Sequence, residues 1–177
     1  MRRAFAGTLV AFFVVCMAST ALAGWRQVLP DAQLIGAGQM RYWGFAIYQA
    51  QLWSPYPAAE VLTLQRPFAL QLTYQRSISR EALVDASLEE MRRLAAHPLT
   101  PEQLANWQAQ MQQAFVDVRD GEQITGVYLP NKGVQFYVGQ RLSHEVDDPA
   151  FARAFFLIWL DPRTRNPQLR AQLLGND

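Results

Sequence analysis

An arginine and a tyrosine lie seven positions apart in a stretch that is otherwise aromatic and β-prone, residues 36–53. If the chain reverses through a two-residue turn at Gly44-Phe45, with glycine first as in a type II′ turn, Arg41 pairs with Tyr48. Directly opposed residues share one face of a sheet, so a guanidinium and a phenol would meet on an apolar surface. Because arginine offers a two-pronged donor and tyrosine adds an O–H, this pair predicts a receptor for one carboxylate or enolate.

A second interpretation of the same arginine needs no ligand. An arginine near a strand end often lies flat over neighbouring aromatic rings and keeps its charged head in water. The residues of this stretch leave both interpretations of Arg41 open.

The chain begins with the features of a secretory signal peptide. Arg2 and Arg3 precede an apolar run that is short for a membrane span, and an Ala-x-Ala sequence ends at Ala23. We therefore predict a signal peptide over residues 1–23, a mature chain that starts at Gly24, and export, most simply to a periplasm. An uncleaved anchor helix is the alternative.

Residues 24–177 suit one domain with an ordinary core. The only cysteine of the chain is Cys16, so this part must fold without disulfides. Removing Arg2 and Arg3 from the sixteen basic residues leaves fourteen, against fifteen acidic residues. A near-neutral chain without a basic stripe argues against binding to nucleic acid or adhesion to anionic lipid. We expect a monomer with no stable membrane span after cleavage.

Hydrophobic periodicity predicts the elements that must position the candidate residues. The segment 68–75 alternates apolar and polar residues, which is typical of a half-buried antiparallel strand. Helices are predicted over 80–96, after Thr100-Pro101, after Asp148-Pro149 and after Asn166-Pro167, and strands over 123–129, 134–138 and 141–146. The third helix is almost wholly apolar and must be covered on most sides. This order predicts an α+β domain with an antiparallel sheet and helices on one face.

Other chemistry is weakly supported by the residue types. Residues 24–177 contain His97 and His144 but no thiolate and no histidine spacing typical of a metal site, so we expect neither a metal nor a cofactor. Gly36-x-Gly38 is not a phosphate loop, because no helix follows it and the third glycine is missing.

Three segments together resemble the chalcone isomerase-like family, in its bacterial exported branch. They are Gly36-x-Gly38-x-x-Arg41-x-x-Gly44-Phe45-x-x-Tyr48, then Phe68-Ala69-Leu70-x-Leu72-x-Tyr74 before a helix with Leu88-Glu89-Glu90-Met91, and finally Phe155-Phe156-x-Ile158-Trp159-Leu160-x-Pro162-x-Thr164. The resemblance spans nearly all of residues 24–177. It implies an open-faced β-sandwich, in which a large antiparallel sheet carries helices on one face and a ligand cleft lies between them.

The resemblance also separates catalytic members from binding members. In the true isomerases an arginine and a threonine on the sheet hold the reacting ketone, helped by a tyrosine and an asparagine on the following helix. Tyr48 stands where that threonine is expected, and Arg80 and Ser87 fall near the helical pair without matching it. An arginine with a tyrosine is similar to the members that bind fatty acids. We therefore expect Arg41, Tyr48, Arg80 and Ser87 to contact a ligand.

The expected function is thus the binding of a small apolar ligand with a carboxylate or carbonyl end, without catalysis. One alternative is an intramolecular lyase or isomerase that acts on a chalcone-like enone. Another is a domain that supports a partner in the cell envelope through an exposed apolar patch, with no occupied cleft.

Overall fold

The structure is a computed structural model that describes residues 24–176, and the predicted signal peptide lies outside the described residues. The strands are β1 (Gln33–Tyr42), β2 (Phe45–Ser54), β3 (Phe68–Tyr74), β4 (Gln123–Leu129), β5 (Gly133–Val138) and β6 (Arg141–Val146). The helices are α1 (Ala58–Val61), α2 (Arg80–Leu94), α3 (Pro101–Ala114), α4 (Pro149–Leu160) and α5 (Pro167–Leu173). Each strand pairs antiparallel with the next one along the chain, which gives a six-stranded sheet in the order β1 to β6. The predicted α+β class and large antiparallel sheet are confirmed.

The main core lies between one face of the sheet and the helices. Alternation along β3 places Phe68 and Tyr74 in this core, while Ala69 points to the other face. Helix α4 packs directly on β3, and the ring of Phe156 meets that of Phe68 edge-on at 4.9 Å between centroids. The apolar character of α4 is thereby explained, since six of its residues are buried.

The opposite face of the sheet is covered only in part. A 3₁₀ turn at Gly24–Gln27 brings Trp25 onto Ala69, Val127 and Tyr137, and these form a second, smaller cluster. Beyond that cluster, amide and hydroxyl side chains hydrogen-bond to one another across β3 and β4 (Gln71, Thr73, Gln123 and Thr125). The sheet is therefore a half-open sandwich with the larger helical layer on one face.

Helix starts follow the capping chemistry that the sequence indicates. Thr100 and Gln103 form a reciprocal capping box at the start of α3, and Asp148 accepts two backbone N–H groups at the start of α4. Helix α2 ends at Leu94, two residues before the predicted end. There the carbonyl of Leu94 accepts a hydrogen bond from Arg163 at 2.7 Å, so this carbonyl has a partner without a further helical turn.

Helix α5 lies close against β1 because β1 carries glycine where they meet. A methyl group on Gly36 would overlap the carbonyl oxygen of Gln172 and lie 2.7 Å from that of Leu173. A methyl group on Gly38 would lie 2.8 Å from Leu169. Because the two glycines have no side chain, α5 can pack closely against the sheet. This contact forms one wall of the site described below.

The hairpin between β1 and β2 turns one residue earlier than predicted. Tyr42 pairs with Phe45, so the two central residues are Trp43 and Gly44, with φ of 50° and 81°. Two consecutive positive φ angles are typical of a type I′ turn, which matches the twist of the strands. The predicted turn at Gly44-Phe45 is wrong, because the glycine occupies the second central position and not the first.

A β-bulge then changes the register inside this hairpin. Arg41 pairs with Ala46 and Met40 pairs with Tyr48, which leaves Ile47 as an extra residue on β2. Arg41 therefore does not lie opposite Tyr48, and the predicted pair is wrong.

Candidate functional site

A cleft of about 460 Å³ opens between the helical face of the sheet and helices α2, α4 and α5. Its volume lies within the range of about 300–1,000 Å³ that is usual for small-molecule sites. Most of its wall is hydrocarbon or aromatic (Leu72, Ile78, Leu83, Phe155, Ile158 and Leu169). Helix α2 contributes the small residues Ala82 and Ala86, which leave the space beside the sheet open.

The bulge in β2 decides which side chains of the hairpin reach the cleft. Met40 and Tyr42 line it from β1, so Arg41 between them points away. On β2 the extra residue brings two neighbours, Ile47 and Tyr48, to the cleft together. Two successive residues of a regular strand could not face the same side.

The floor of the cleft holds two tyrosines, Tyr48 and Tyr74, which we call the phenol pair. Their rings pack edge-on with centroids 5.9 Å apart. Trp159 of α4 donates its indole N–H to the hydroxyl oxygen of Tyr48 at 3.0 Å. Because that oxygen accepts from Trp159, the O–H of Tyr48 is left to donate to a ligand, and no acceptor for it is found within residues 24–176.

Both members of the phenol pair stay neutral at physiological pH. Burial raises the pKa of Tyr48 from 10.0 to about 12, and the hydrogen bond from Trp159 offsets only part of that effect. Burial also raises the pKa of Tyr74, and the charge of an ionised Tyr48 would raise it further. The floor can therefore donate hydrogen bonds to a carbonyl or hydroxyl oxygen, but it offers no positive charge to an anion.

The mouth of the cleft carries a cluster of ion pairs. Among the described residues that line the cleft only Arg165 is cationic, and its side chain is 58 % exposed. It contacts Glu89 at 2.9 Å and Glu90 at 3.0 Å. Glu90 also accepts three hydrogen bonds from Arg93 and so keeps a partner of its own. The pair with Glu89 is exposed on both sides and hence weak, so a ligand carboxylate could take the place of Glu89 at Arg165.

The loop after α4 holds Arg165 at this mouth. Thr164 donates its hydroxyl to a carbonyl of α4 at 2.8 Å. Arg163 binds Asp161 through its guanidinium at 2.8 Å and reaches the carbonyl of Leu94 on α2. The hydrogen bonds from Arg163 lower the pKa of the Asp161 carboxyl, which keeps this anchor charged. The loop is thereby tied to two helices, and Arg165 follows directly after the anchored residues.

Arg41 lies outside the cleft. Its Nε donates to Gln39 at 2.8 Å and its Nη1 donates to the carbonyl of Gly44 at 3.1 Å. The side chain lines a small polar groove between β1 and α5, which adjoins the cleft at Asn166 and Leu169. Arg41 therefore does not reach the cleft, and its head contacts polar groups of β1 and the turn where the second interpretation placed aromatic rings.

The two predicted residues of α2 have different positions. Ser87 lines the cleft, although its hydroxyl donates to the carbonyl of Leu83 at 2.8 Å. Arg80 is the first residue of α2, contacts Glu81 at 3.4 Å and does not line the cleft. The structure therefore brings Tyr48 and Ser87 to one site and leaves Arg41 and Arg80 outside it.

Three residues of the site were not predicted from the sequence. The alternation of residues 68–75 places Tyr74 on the buried face of its strand, which is confirmed, but its role beside Tyr48 depends on strand pairing. The apolar pattern of the third predicted helix includes Trp159 and indicates no polar partner for it. Arg165 lies in a loop, where no periodicity indicates a direction, although it directly follows the Pro162-x-Thr164 motif.

Residues 24–176 lack two features. No group of three or more His, Cys, Asp or Glu side chains in this range is placed to hold a metal ion. None of the helices in it is long and apolar enough to cross a membrane.

Comparison with known proteins agrees with this architecture. The crystal structure of an Arabidopsis thaliana fatty-acid binding protein superimposes with a TM-score of 0.64, covering 81 % of this chain and 87 % of that chain at 11 % sequence identity. At that identity the likeness shows a shared fold. A search of curated protein sequences gives no significant match. The family model described as chalcone isomerase-like matches residues 29–175, which is most of the chain. The chain therefore belongs to the chalcone isomerase-like family.

Proposed function

We propose that this protein binds a small, fatty-acid-like ligand in the cleft and does not transform it. The observation that carries the proposal is an open cleft of about 460 Å³ whose wall is almost wholly apolar, with polar groups gathered at its floor and its mouth. Such a site fits a molecule that is apolar along its length and polar at one end. The fold shared with a fatty-acid binding protein supports this proposal.

The distribution of charge in the cleft favours one orientation of an acidic ligand. A carboxylate at the phenol pair would be buried without a cation, which is costly because neutral donors replace only part of its hydration. A carboxylate at the mouth would meet Arg165 and remain partly in water. We propose that the hydrocarbon tail fills the cleft and that the carboxylate lies at Arg165. A ligand with a neutral carbonyl could instead place its polar end at the floor, where the carbonyl oxygen would accept a hydrogen bond from the O–H of Tyr48.

The same floor argues against the isomerase alternative. Closing a chalcone-like enone needs an acid that delivers a proton and a positive group that holds the developing oxyanion. Tyr48 is a weak acid, since its pKa is about 12, and Arg41 does not reach the cleft. Turnover of a chalcone by the purified protein, followed by its absorbance, would contradict the non-catalytic proposal.

Export belongs to the same proposal but rests on the sequence alone. We propose that residues 1–23 are removed as a signal peptide and that the mature protein works in the periplasm as a member of the exported branch of the family. The intact mass of the protein purified from the periplasmic fraction tests this, because cleavage after Ala23 predicts a chain that starts at Gly24. A chain that retains Met1 in the cytoplasmic fraction would contradict it.

Ligand binding is tested by blocking the cleft from α2. Ala86 lines the cleft and Ala105 lies on the exposed side of α3, so Ala86→Trp fills the site whereas Ala105→Trp is a matched control. Titration calorimetry with octanoate, decanoate and laurate should show affinity that rises about fourfold for each added methylene, because each buried CH₂ contributes about 0.8 kcal/mol. Ala86→Trp should abolish binding and Ala105→Trp should leave it unchanged. Equal binding by both variants would refute the cleft as the site.

A further inference from the structure

Three large aromatic side chains are exposed together where β1 turns into β2. Tyr42, Trp43 and Phe45, which we call the aromatic tip, are 63 %, 83 % and 65 % exposed. The rings of Tyr42 and Trp43 meet edge-on at 6.3 Å. The guanidinium of Arg76 lies 5.7 Å from the centre of the Phe45 ring. The other exposed large apolar side chains of residues 24–176 reach at most 46 % exposure.

A contribution to the stability of the fold does not explain why a tryptophan occupies position 43. It occupies the first central position of a type I′ turn at φ of 50°, where asparagine, aspartate and glycine are strongly preferred. A bulky side chain in this region is an outlier, and at 83 % exposure Trp43 gains little from burial. A residue that strains its own turn and covers almost nothing is best explained by a contact outside the chain.

The size of the aromatic tip indicates what kind of surface it meets. Three large aromatic side chains at this exposure offer on the order of 400 Å². A stable protein interface takes about 800 Å² from each partner, so the tip is too small to hold a second folded chain by itself. Tryptophan and tyrosine are the residues that the headgroup region of a bilayer accepts best, because one edge of the ring is apolar and the other is polar.

Charge next to the tip has the sign that lipid phosphate requires. Arg41 and Arg76 flank the hairpin, and the guanidinium of Arg41 holds the carbonyl of Gly44 inside the turn. The near-neutral net charge of the chain argued against adhesion to anionic lipid, but net charge does not report a local grouping of this kind. The tip also adjoins the cleft, since Tyr42 and Ile47 line it.

We propose that the aromatic tip docks the protein onto the surface of an anionic lipid bilayer. In this arrangement Trp43 and Phe45 enter the headgroup layer and Arg41 and Arg76 meet lipid phosphates. The mouth of the cleft then lies beside the membrane, so an apolar ligand can pass between bilayer and cleft without crossing free water.

Vesicle binding by single variants tests this docking. The protein is expressed as the full chain, its intact mass is recorded, and the purified soluble form is sedimented with vesicles of equal parts phosphatidylglycerol and phosphatidylcholine. Trp43→Asn should lower the partition coefficient at least about tenfold, because it removes one large aromatic group that the headgroup layer would bury. The same variant should melt at the same or a higher temperature, since asparagine suits the turn. Arg76→Gln should weaken binding to these vesicles and leave binding to pure phosphatidylcholine unchanged.

Leu142→Ser is the matched control, since Leu142 is an exposed apolar residue on β6 at the opposite edge of the sheet. It should bind vesicles as the wild type does. Absence of wild-type binding to the anionic vesicles would overturn the proposal, and so would equal binding by Trp43→Asn. Sedimentation equilibrium tests whether the tip instead contacts a second copy of the chain. If the wild type is a dimer and Trp43→Asn is a monomer, the tip is a dimer contact and the proposal is overturned. Fatty-acid binding in solution is measured separately and does not depend on this result.

Discussion

Replacing Arg165 by glutamine should weaken the binding of a fatty acid and leave the binding of the matching alcohol unchanged. Arg165 is the cation of the cleft lining and lies at its mouth, where an acid bound with its tail inward places its carboxylate. Laurate and dodecanol have the same chain length, so both should occupy the apolar wall equally. Only laurate carries the charge that Arg165 would hold.

The magnitude follows from the surroundings of the guanidinium. A charge-assisted hydrogen bond contributes about 1.5–3 kcal/mol when its groups are well shielded. Arg165 is 58 % exposed and must exchange Glu89 for the ligand, so the net contribution falls to about 1 kcal/mol. This corresponds to about a fivefold increase in the Kd of laurate. Glu89→Gln should act in the opposite direction and tighten laurate by up to the same factor, because it removes the competing carboxylate.

The fold should tolerate the change. Glu90 is 15 % exposed and would lose one partner, but Arg93 still donates three hydrogen bonds to it. The expected loss of stability is therefore below about 1 kcal/mol. Arg92→Gln is the matched control, because Arg92 is an exposed arginine of α2 that does not line the cleft.

Titration calorimetry of the wild type and the three variants with both ligands checks these expectations. If Arg165→Gln weakens laurate and dodecanol equally, Arg165 supports the shape of the cleft and does not hold a carboxylate. If neither ligand is affected, the acid binds with its head elsewhere. If the wild type binds neither ligand, the proposed function fails together with the orientation.

Two further predictions concern the floor of the cleft and the wall formed by α5. The folded pKa of Tyr48 is about 12 against 10.0 unfolded, so its contribution to stability is complete below about pH 10 and is lost as pH rises from 10 to 12, by up to about 2–3 kcal/mol. Urea unfolding from about pH 8 to about pH 11 should therefore show a shallower alkaline loss in Tyr48→Phe, and an unchanged loss would contradict the assigned shift. Gly36→Ala should destabilise the protein by about 1–3 kcal/mol, because the methyl group meets the backbone carbonyls of Gln172 and Leu173. Thermal melting measures this against Gln39→Ala on the same strand, and equal melting temperatures would show that α5 moves aside freely.

The elements that the sequence predicts well are those whose signals are local. The alternation of β3 sorts its side chains correctly between the two faces, because each residue is placed by its own neighbours. The predicted half-buried strand is wrong, since every residue of β3 except Thr73 is buried. The caps at Thr100, Asp148 and Asn166 are likewise confirmed, since a side chain that bonds the backbone two or three residues ahead needs no distant partner. The sequence signal for such a cap therefore lies within four consecutive residues.

Gly36 and Gly38 show what a local signal omits. Their spacing invites comparison with a phosphate loop, and the sequence correctly excludes that function because no helix follows. They allow α5, which lies more than a hundred residues later in the chain, to pack closely against β1. No pattern around the two glycines indicates that contact, since the residues that require it belong to another element.

The pairing of Arg41 with Tyr48 failed for a related reason. The predicted and the observed turn each place two residues at the centre, and they differ only in whether Gly44 comes first or second. Moving the turn by one residue changes the strand pairing by two residues, so the turn alone would still leave Arg41 and Tyr48 on one face. The extra residue Ile47 changes the pairing by one residue, and this shift places Tyr48 in the cleft while Arg41 faces the other side. A sequence-based prediction would not place a tryptophan at a position of positive φ, because tryptophan is disfavoured there.

The geometry of this hairpin links the ligand site to the proposed membrane contact. Without the bulge at Ile47, Arg41 would share a face with Tyr48 and bring a fixed charge to the floor, and an acid could bind with its head buried. With the bulge, the floor keeps the neutral phenols, and the cation among the described residues of the cleft is Arg165 at the mouth. An acid held at the mouth by its carboxylate must enter tail first, and Tyr42 of the aromatic tip lines the same cleft. The bulge of the hairpin therefore keeps Arg41 away from the floor, while its turn exposes the aromatic tip. Because Trp43 does not line the cleft, Trp43→Asn should weaken vesicle docking and leave the affinity of the cleft for laurate unchanged.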